Sequence, residues 1–485
     1  MPDTSYQKSA LRAEDGDRRK RMNLERIREY LDKADGVSDW ILSSRETDSL
    51  TIIRLPAIYT VESGRFIAHE NPHPREVISS PSETVEVTIF SSFEVDGSTW
   101  LGDASGQFTS DHEAVLKTVT ANLVAACRSQ RNKPFPLPGK DEHYPEVELA
   151  DPQLAGLDHA ALIERGQQFN NRIVAACANK PGVAVSNLEV FIHRTRVRTL
   201  SSAGLDLVYP ATRIDVEICF LGRPSDDKVG EHTARLSCRR LSDLDPEAIV
   251  AEYAAAARDI ALASPPPHWQ GPVVLSGEAA ADFLTLQNSP LVFHANARMV
   301  YEKTGRYEKG KSVWADKPLA GEPLNLVSDP LVPFGLRSGR LFEADATPCR
   351  PVTVVKDGCY DGLIGPRRYF YYLGLLEQGI QPAGTLGNTL IPPGQNPIEQ
   401  LTSADCVVVR AFSAFSVDVA SGQFAVEIRL GELHKNGNTT PFKGGLLVGN
   451  WFEALADARY SRETQVYQSY HGPKAVRLGN LKVAA

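Results

Sequence analysis

The chain has 485 residues, more than one hydrophobic core usually serves, so two domains are the starting expectation. Its 42 % hydrophobic and 23 % charged residues are those of a soluble globular protein, and a net charge of −8 argues against a dominant nucleic-acid surface. No apolar run approaches the length of a membrane-spanning helix, and seven scattered cysteines without a CxxC spacing point to reduced thiols in a cytoplasm rather than a disulfide framework.

In chain order, a polar tail of about 17 residues precedes a first helix expected over about 18–34. The basic run Arg18–Arg21 leads into the amphipathic NLERIREYLDKA and not into an apolar segment, so it reads as a solvated helix start and not as a signal peptide. SLTIIRL and TVEVTIFSSFEV alternate as half-buried strands do. Ser110 and Asp111 are placed to cap the helix HEAVLKTVTANLVAAC, in which Val115, Val119, Leu123 and Cys127 recur every fourth residue and so share one face. A second helix is expected over about 157–179, followed by the strand NLEVFIHRTRVRTL, a turn at Ser202–Gly204 and the strand TRIDVEICFLG. DPEAIVAEYAAAARDIALA is a strongly helical, alanine-rich segment. Strand, loop, strand, Ser-Asp and helix occur at about 84–128 and again at about 205–263, a layout that suggests a duplicated β-β-α unit.

Ser264-Pro265-Pro266-Pro267 reads as a linker, because consecutive prolines cannot continue the helix. Beyond it, short apolar runs separated by Gly, Pro and Asn dominate, with one last short helix near Trp451–Arg459. The expected architecture is α+β: an N-terminal α/β domain over 18–263 and a mainly β C-terminal domain over 268–485.

Three stretches imitate catalytic motifs. His69-Glu70-Asn71-Pro72-His73 fits HExxH, but two-histidine metal chemistry needs a helix, and Pro72 and Pro74 oppose one; a surface loop is the better reading. Gly305–Ser312 fits GxxxxGK[ST], but phosphate cradling needs a strand before the loop and a helix after it. Here NARMVYEK reads as helix, Pro318 and Gly321 break the segment after Ser312, and Arg306, Tyr307 and Glu308 crowd the loop. His112-Glu113 has no second histidine, since Leu116 and Lys117 stand where it would fall. His294 and His471 are the remaining histidines of interest, and a lone histidine is more often structural than ligating. No GxSxG elbow occurs, and no Ser–His–Asp or Cys–His set can be assigned from spacing.

After the linker, Gly271–Ala280 (GPVVLSGEAA) resembles the segment that opens the C-terminal domain of TldD/PmbA-type proteins. Asn325–Gly358, Gly384–Leu401, Ser421–Leu433, Gly444–Asn450 and the terminal VRLGNLKVAA are similar to that family in the same order. The resemblance is strong over about 271–485; the N-terminal half agrees mainly in layout.

The resemblance implies a cytoplasmic two-subunit metallopeptidase acting on unfolded or precursor peptides. A TldD-like subunit carries zinc on an HExxxH helix with a nearby C-terminal cysteine, and a TldE-like (PmbA-like) subunit shares the fold without those ligands. Counted from PVVLSGEAA, the six helix positions fall on Thr285, Leu286, Gln287, Asn288, Ser289 and Pro290, and no HExxxH occurs elsewhere. Gln468–Gly472 offers no cysteine; the nearest in sequence is Cys406. Three ligands and a base are needed to activate a zinc-bound water. The chain is therefore expected to be a TldE-like subunit, inactive alone, with no catalytic, cofactor or metal residue of its own and with zinc in a TldD-like partner. Neither nucleic acid nor membrane is expected as a partner. The alternative is a homodimeric peptide-binding or regulatory protein on the same scaffold, and a third reading places a metal at His294 and His471.

Overall fold

The computed structural model describes residues 21–62, 65–71, 74–225, 227–314 and 318–484. The polar tail and the expected helix start at 18–20 lie outside them. The architecture is α+β, and no helix of the described residues is long and apolar enough to cross a membrane. The chain divides into two compact units.

The first unit comprises residues 21–46, 82–134 and 197–208. Helix α1 (Leu24–Leu31) is shorter than expected, because the Asn23 side chain accepts the Arg26 amide and sets its start. Its buried residues Ile27 and Leu31 join Trp40 and Leu42, which lie in the first part of strand β1 (Asp39–Arg54). Strands β2 (Ser82–Val95) and β3 (Ser98–Phe108) form a hairpin in register from Val85↔Phe108 to Val95↔Ser98. Its turn is Asp96-Gly97, both at positive φ, as a two-residue hairpin loop requires. Helix α2 (Glu113–Arg128) comes next.

Two expectations for α2 need correction. His112, not Ser110 or Asp111, is the N-cap residue, without a side-chain cap bond. Ser110 Oγ instead accepts the His112 amide, and Asp111 accepts the Asn23 amide. The buried face is Leu116, Thr120, Val124 and Cys127, one residue round from the predicted stripe, with Val119 and Leu123 half-buried beside it. A strict spacing of four drifts by about 40° per step on a 3.6-residue helix, so a packed stripe must take one step of three.

The second unit comprises residues 47–81, 135–196 and 209–484 of the described chain. Its first sheet runs in the order β1 (second part), β4 (Val183–Ser201), β5 (Asp206–Ser225) and β6 (Lys228–Cys238), with the strand Arg75–Ser79 beside β1. Alternate residues such as Ile192, Ile214, Val216 and Ile218 are buried with Phe169 and Ile173 of α3 (His159–Ala178) and Val250 and Ala257 of α4 (Pro246–Leu262). Hairpin then helix thus occurs at β2-β3-α2 and again at β5-β6-α4, the layout read from the sequence.

After Ser264, whose amide and hydroxyl both donate to Pro441 O, the chain enters β7 (Trp269–Ser276) and the short helix α5 (Glu278–Leu284). Further on come β8 (Cys406–Phe412), β9 (Gln423–Lys435), β10 (Leu446–Asn450), the hairpin β11 (Thr464–Tyr467)–β12 (Tyr470–Pro473), and β13 (Ala475–Ala484). Strands β7, β8, β9, β10 and β13 pair in that order, and β13 pairs back with β7, which closes a ring; the short strands Asn438–Phe442 and Arg459–Tyr460 pair onto β9 and β13 outside it. Strand β11 belongs to a separate sheet, in which it is an end strand.

Helix α5 is locked to the ring's core. Phe283 is fully buried, its ring 5.9–6.0 Å from those of Phe415, Phe424 and Trp451, and the Trp451 indole donates to Phe283 O at 2.9 Å. Replacing it leaves a cavity the backbone cannot close, so Phe283→Ala should cost about 3–5 kcal/mol. Denaturant unfolding followed by tryptophan fluorescence checks this; a loss under about 1 kcal/mol would show the helix is not anchored there.

Candidate functional site

The site is built around α5. Gly277 precedes it at φ +59°, a conformation that favours glycine, and turns the chain from β7 into the helix. Its amide donates to Lys474 O, and its carbonyl accepts the Gln465 side chain at 2.8 Å. Glu278 and Asp282 stand one helical turn apart and share a face. The Tyr253 hydroxyl of α4 donates to Glu278 Oε1 at 2.6 Å, and Tyr467 of β11 hydrogen-bonds the same carboxyl group. His232 stacks on Tyr253 at 5.5 Å.

Burial sets the protonation of this cluster. Burial pushes the Glu278 carboxyl up, against the two tyrosine hydrogen bonds and Arg429, which pull it down. Asp282 is raised to about 6, first by burial and then by the neighbouring Glu278 charge. Both phenols are pushed up by burial and by Glu278, so they stay protonated donors. Burial, with Arg429 and Arg410, lowers His232 to about 4 and keeps its imidazole neutral. Burial thus disfavours the charged form of both carboxyl groups, Glu278 and Asp282, beside strand β11.

That strand is the outer edge of its sheet. It pairs with β12 from Thr464↔Pro473 to Tyr467↔Tyr470, and its other side has no partner strand among the described residues. Gln465 and Tyr467 point inward to Gly277 and Glu278, whereas Val466 is 69 % exposed. Tyr467 and Tyr470 close a two-residue turn, so they form a hydrogen-bonded pair and the Val466 amide faces the free edge.

The positions aligned with a zinc helix are otherwise occupied. Thr285 Oγ1 donates to Ala281 O at 2.6 Å, and Leu286 is fully buried. Gln287 donates to Gly387 O, Asn288 to Asp282 O, and Ser289 Oγ to Leu286 O. The helix ends at Leu284, and a 3-10 turn, Leu286–Asn288, replaces the turns that would aim two ligands at one point. In Gln468–Gly472 the buried Tyr470 donates to Pro473 O, and Cys406 is a buried thiol pushed up by burial. The residues present do not fit a zinc ion, and among the described residues no three His, Cys, Asp or Glu side chains converge on a metal position.

The other motifs lack the surroundings their chemistry needs. His69 and Glu70 lie in the strand Arg65–Glu70, while Pro72 and His73 lie outside the described residues. In Gly305–Ser312 the Arg306, Gly310 and Lys311 amides already donate to His294 Nδ1, Tyr360 O and Glu308 O, and among the described residues no helix opens behind the loop. His294 accepts that amide and bonds Ala420 O through Nε2 at 3.0 Å, which makes it a neutral structural histidine, lowered by burial. His471 is also lowered by burial, against Asp329, and its Nε2 is buried without a partner among the described residues.

One constellation escaped the sequence, because its members lie on three separate strands. Ser49 Oγ meets His193 Nδ1 at 2.8 Å, and His193 Nε2 lies 3.8 Å from Asp215, which binds Arg213 and Ser237. Burial lowers His193; it raises Asp215, but the bonds from Arg213 and Ser237 outweigh it and hold that carboxylate low. The carboxylate is too far from the ring to orient it, and Ser49 sits within a strand whose amides serve the sheet. It is a polar ladder across strands, not a nucleophile.

The proton affinity of Asp282 gives a prediction with a definite sign. Its carboxyl binds a proton more tightly folded than unfolded, so its contribution to stability falls as pH rises from about 4 to about 6 and stays low above. Asp282→Asn should therefore match the parent near pH 4 and exceed it at pH 7 by on the order of 1–3 kcal/mol. Melting curves across that range check this; equal curves at every pH would show that the carboxylate is solvated.

Comparison with known proteins agrees with the fold. Residues 269–485 match the family model described as the PmbA/TldA metallopeptidase C-terminal domain. A search of curated proteins returned no match. The fold is similar to that of TldE from Thermococcus kodakarensis, at 16 % identity and a TM-score of 0.72, covering 95 % of this chain and 100 % of that one. It is equally similar, with the same figures, to a protein from Thermotoga maritima described as a candidate modulator of a DNA gyrase. A third such structure, from Bacteroides thetaiotaomicron and also described as a candidate gyrase modulator, has 13 % identity and a TM-score of 0.71, with 95 % and 98 % coverage.

Proposed function

Because residues 269–485 match the PmbA/TldA metallopeptidase C-terminal domain, we propose that the chain is a TldE-like subunit that pairs with a TldD-like zinc subunit. In this reading it contributes no metal ligand of its own. It completes the enclosure in which the partner cuts an extended peptide in the cytoplasm.

The observation that carries the proposal is the use of Thr285–Pro290. Each polar side chain there is hydrogen-bonded to backbone, and Leu286 fills the core where a general base would stand. Beside the start of α5, β11 offers a strand edge unpaired among the described residues, which can bind the backbone of an extended peptide regardless of its sequence. Such an edge would select unfolded substrates, since only an extended segment can add as a strand.

Val466→Pro removes one of the amides inferred to face outward in β11 and leaves the β11–β12 pairing intact. Mixed with a TldD-like subunit, this variant should still form the complex but cleave an unfolded peptide about tenfold more slowly, equivalent to about 1.4 kcal/mol of lost strand pairing. Size-exclusion chromatography and a peptide-cleavage assay read the two effects. Unchanged cleavage would remove β11 from substrate binding. A stable homodimer that ignores the TldD-like subunit would favour a regulatory protein, the role suggested by the gyrase-modulator descriptions of two structural neighbours.

A further inference from the structure

Residues 135–149 form a strap of the second unit that contains neither helix nor strand. Pro136, Pro138 and Pro145 carry no amide hydrogen, so the strap cannot join a sheet as a regular strand. Apolar contacts anchor its two ends. Phe135 is 8 % exposed, with its ring edge-on to Tyr372 at 6.5 Å, and Leu149 is buried while its carbonyl accepts the Thr212 amide at 2.9 Å. Between these anchors no residue from 139 to 148 is buried, and Gly139 has open space where a Cβ would stand.

Arginines from three separate segments hold the middle of the strap. Arg340 Nε donates to Pro145 O at 2.8 Å, and its Nη2 donates to Glu146 Oε1 at 2.6 Å. Arg367 Nε donates to Pro136 O at 3.1 Å, and its Nη2 donates to Glu142 Oε1 at 3.4 Å. Arg350 Nη2 meets the other oxygen of Glu142, also at 3.4 Å. The Tyr144 hydroxyl adds a bond to Ala346 O, and the Phe334 amide one to Glu148 O. Arg340 and Arg367 are each only 8 % exposed, and among the described residues their guanidinium groups find hydrogen-bond acceptors in the strap alone. Each takes one proline carbonyl and one carboxylate, the pairing a planar fork makes with an extended acidic chain. Buried guanidinium groups need such partners, yet the segment that supplies them buries little of itself. That is how a groove holds a ligand.

We propose that Arg340, Arg350 and Arg367 line a binding groove for an acidic extended peptide, and that the strap occupies this groove as a displaceable internal ligand. Lifting residues 139–148 breaks polar bonds but uncovers little apolar surface, so the strap can open locally while the rest of the unit stays folded. An incoming peptide replaces the carboxylates of Glu142 and Glu146 and the two proline carbonyls with its own. Because the strap is tethered at both ends, it competes at an effective concentration on the order of millimolar. The groove is therefore closed to weak ligands until the strap is loosened. The inference depends neither on pairing with a zinc subunit nor on the edge of β11, and it can stand or fall separately.

The test uses the full chain and two strap variants. One carries Glu142→Gln with Glu146→Gln; the other replaces residues 140–148 by a glycine-serine linker of equal length. The probe is a fluorescent peptide with the strap's own sequence, FPLPGKDEHYPEVE, and its neutral counterpart has both of those glutamates changed to glutamine. Fluorescence anisotropy should show the variants binding the acidic peptide about tenfold or more tightly than the parent, and more weakly as salt rises. The neutral peptide should bind about tenfold more weakly than the acidic one. Arg340→Met in the linker variant should cancel the gain, and amide hydrogen exchange over 139–148 should rise in the double-glutamine variant. The variant that keeps the parent's circular dichroism spectrum decides the matter. No gain in binding there, or equal binding of the neutral peptide, would overturn the proposal. Loss of fold in both variants would overturn it too, by showing the strap to be part of the core.

Discussion

The seating of Phe283 in the core of the closed five-stranded ring is the contact on which the functional geometry depends. It fixes a helix of only seven residues, too short to be stable alone, against Phe415, Phe424 and Trp451. With Phe283 turned inward, Glu278 lies about 140° round the helix from it, where Tyr253 and Tyr467 meet its carboxyl group. The same anchoring places Gly277 where Gln465 can reach its carbonyl, and so holds the edge strand β11 beside the helix. Hydrophobic burial supplies the stability, while hydrogen bonds fix direction.

The match over residues 269–485 gains physical content from the groups at the positions where the resemblance would place metal ligands. A zinc helix needs two imidazoles one turn apart and a carboxylate between them. Here the helix stops one residue before Thr285, whose hydroxyl closes it on Ala281 O, and Ser289 and Pro290 complete the exit turn. Carboxylates remain nearby at Glu278 and Asp282, but burial raises both, and tyrosines supply the bonds of the first. The Glu278 carboxyl group is thereby held in place by two phenol donors on separate elements.

Much of this was legible in the sequence. Strand alternation in TVEVTIFSSFEV, the alanine-rich helix after Asp245 and the proline break at 265–267 depend on local periodicity and backbone chemistry, which a single sequence carries. The absence of HExxxH is plain in the sequence, and proline placement counted against both the HExxH and the GxxxxGK[ST] matches. The stripe on α2 was off by one residue, because spacing identifies a face but not how it tilts against its sheet. The Tyr253–Glu278–Tyr467 cluster joins residues far apart in the chain, and the strap at 135–149 meets arginines from three separate segments. Such sites depend on strand order, and nothing local announces them. For the strap, Pro136, Pro138 and Pro145 were the available signal, and it reads as loop.

The central claim, that the chain is the metal-free half of a two-subunit peptidase, is tested most directly by zinc content and peptide cleavage. Both should be measured on the purified chain, on a TldD-like subunit, and on their mixture. The account predicts no bound zinc and no cleavage for the chain alone, with cleavage in the mixture and one zinc per pair. Stoichiometric zinc or peptide cleavage by the chain alone would contradict it.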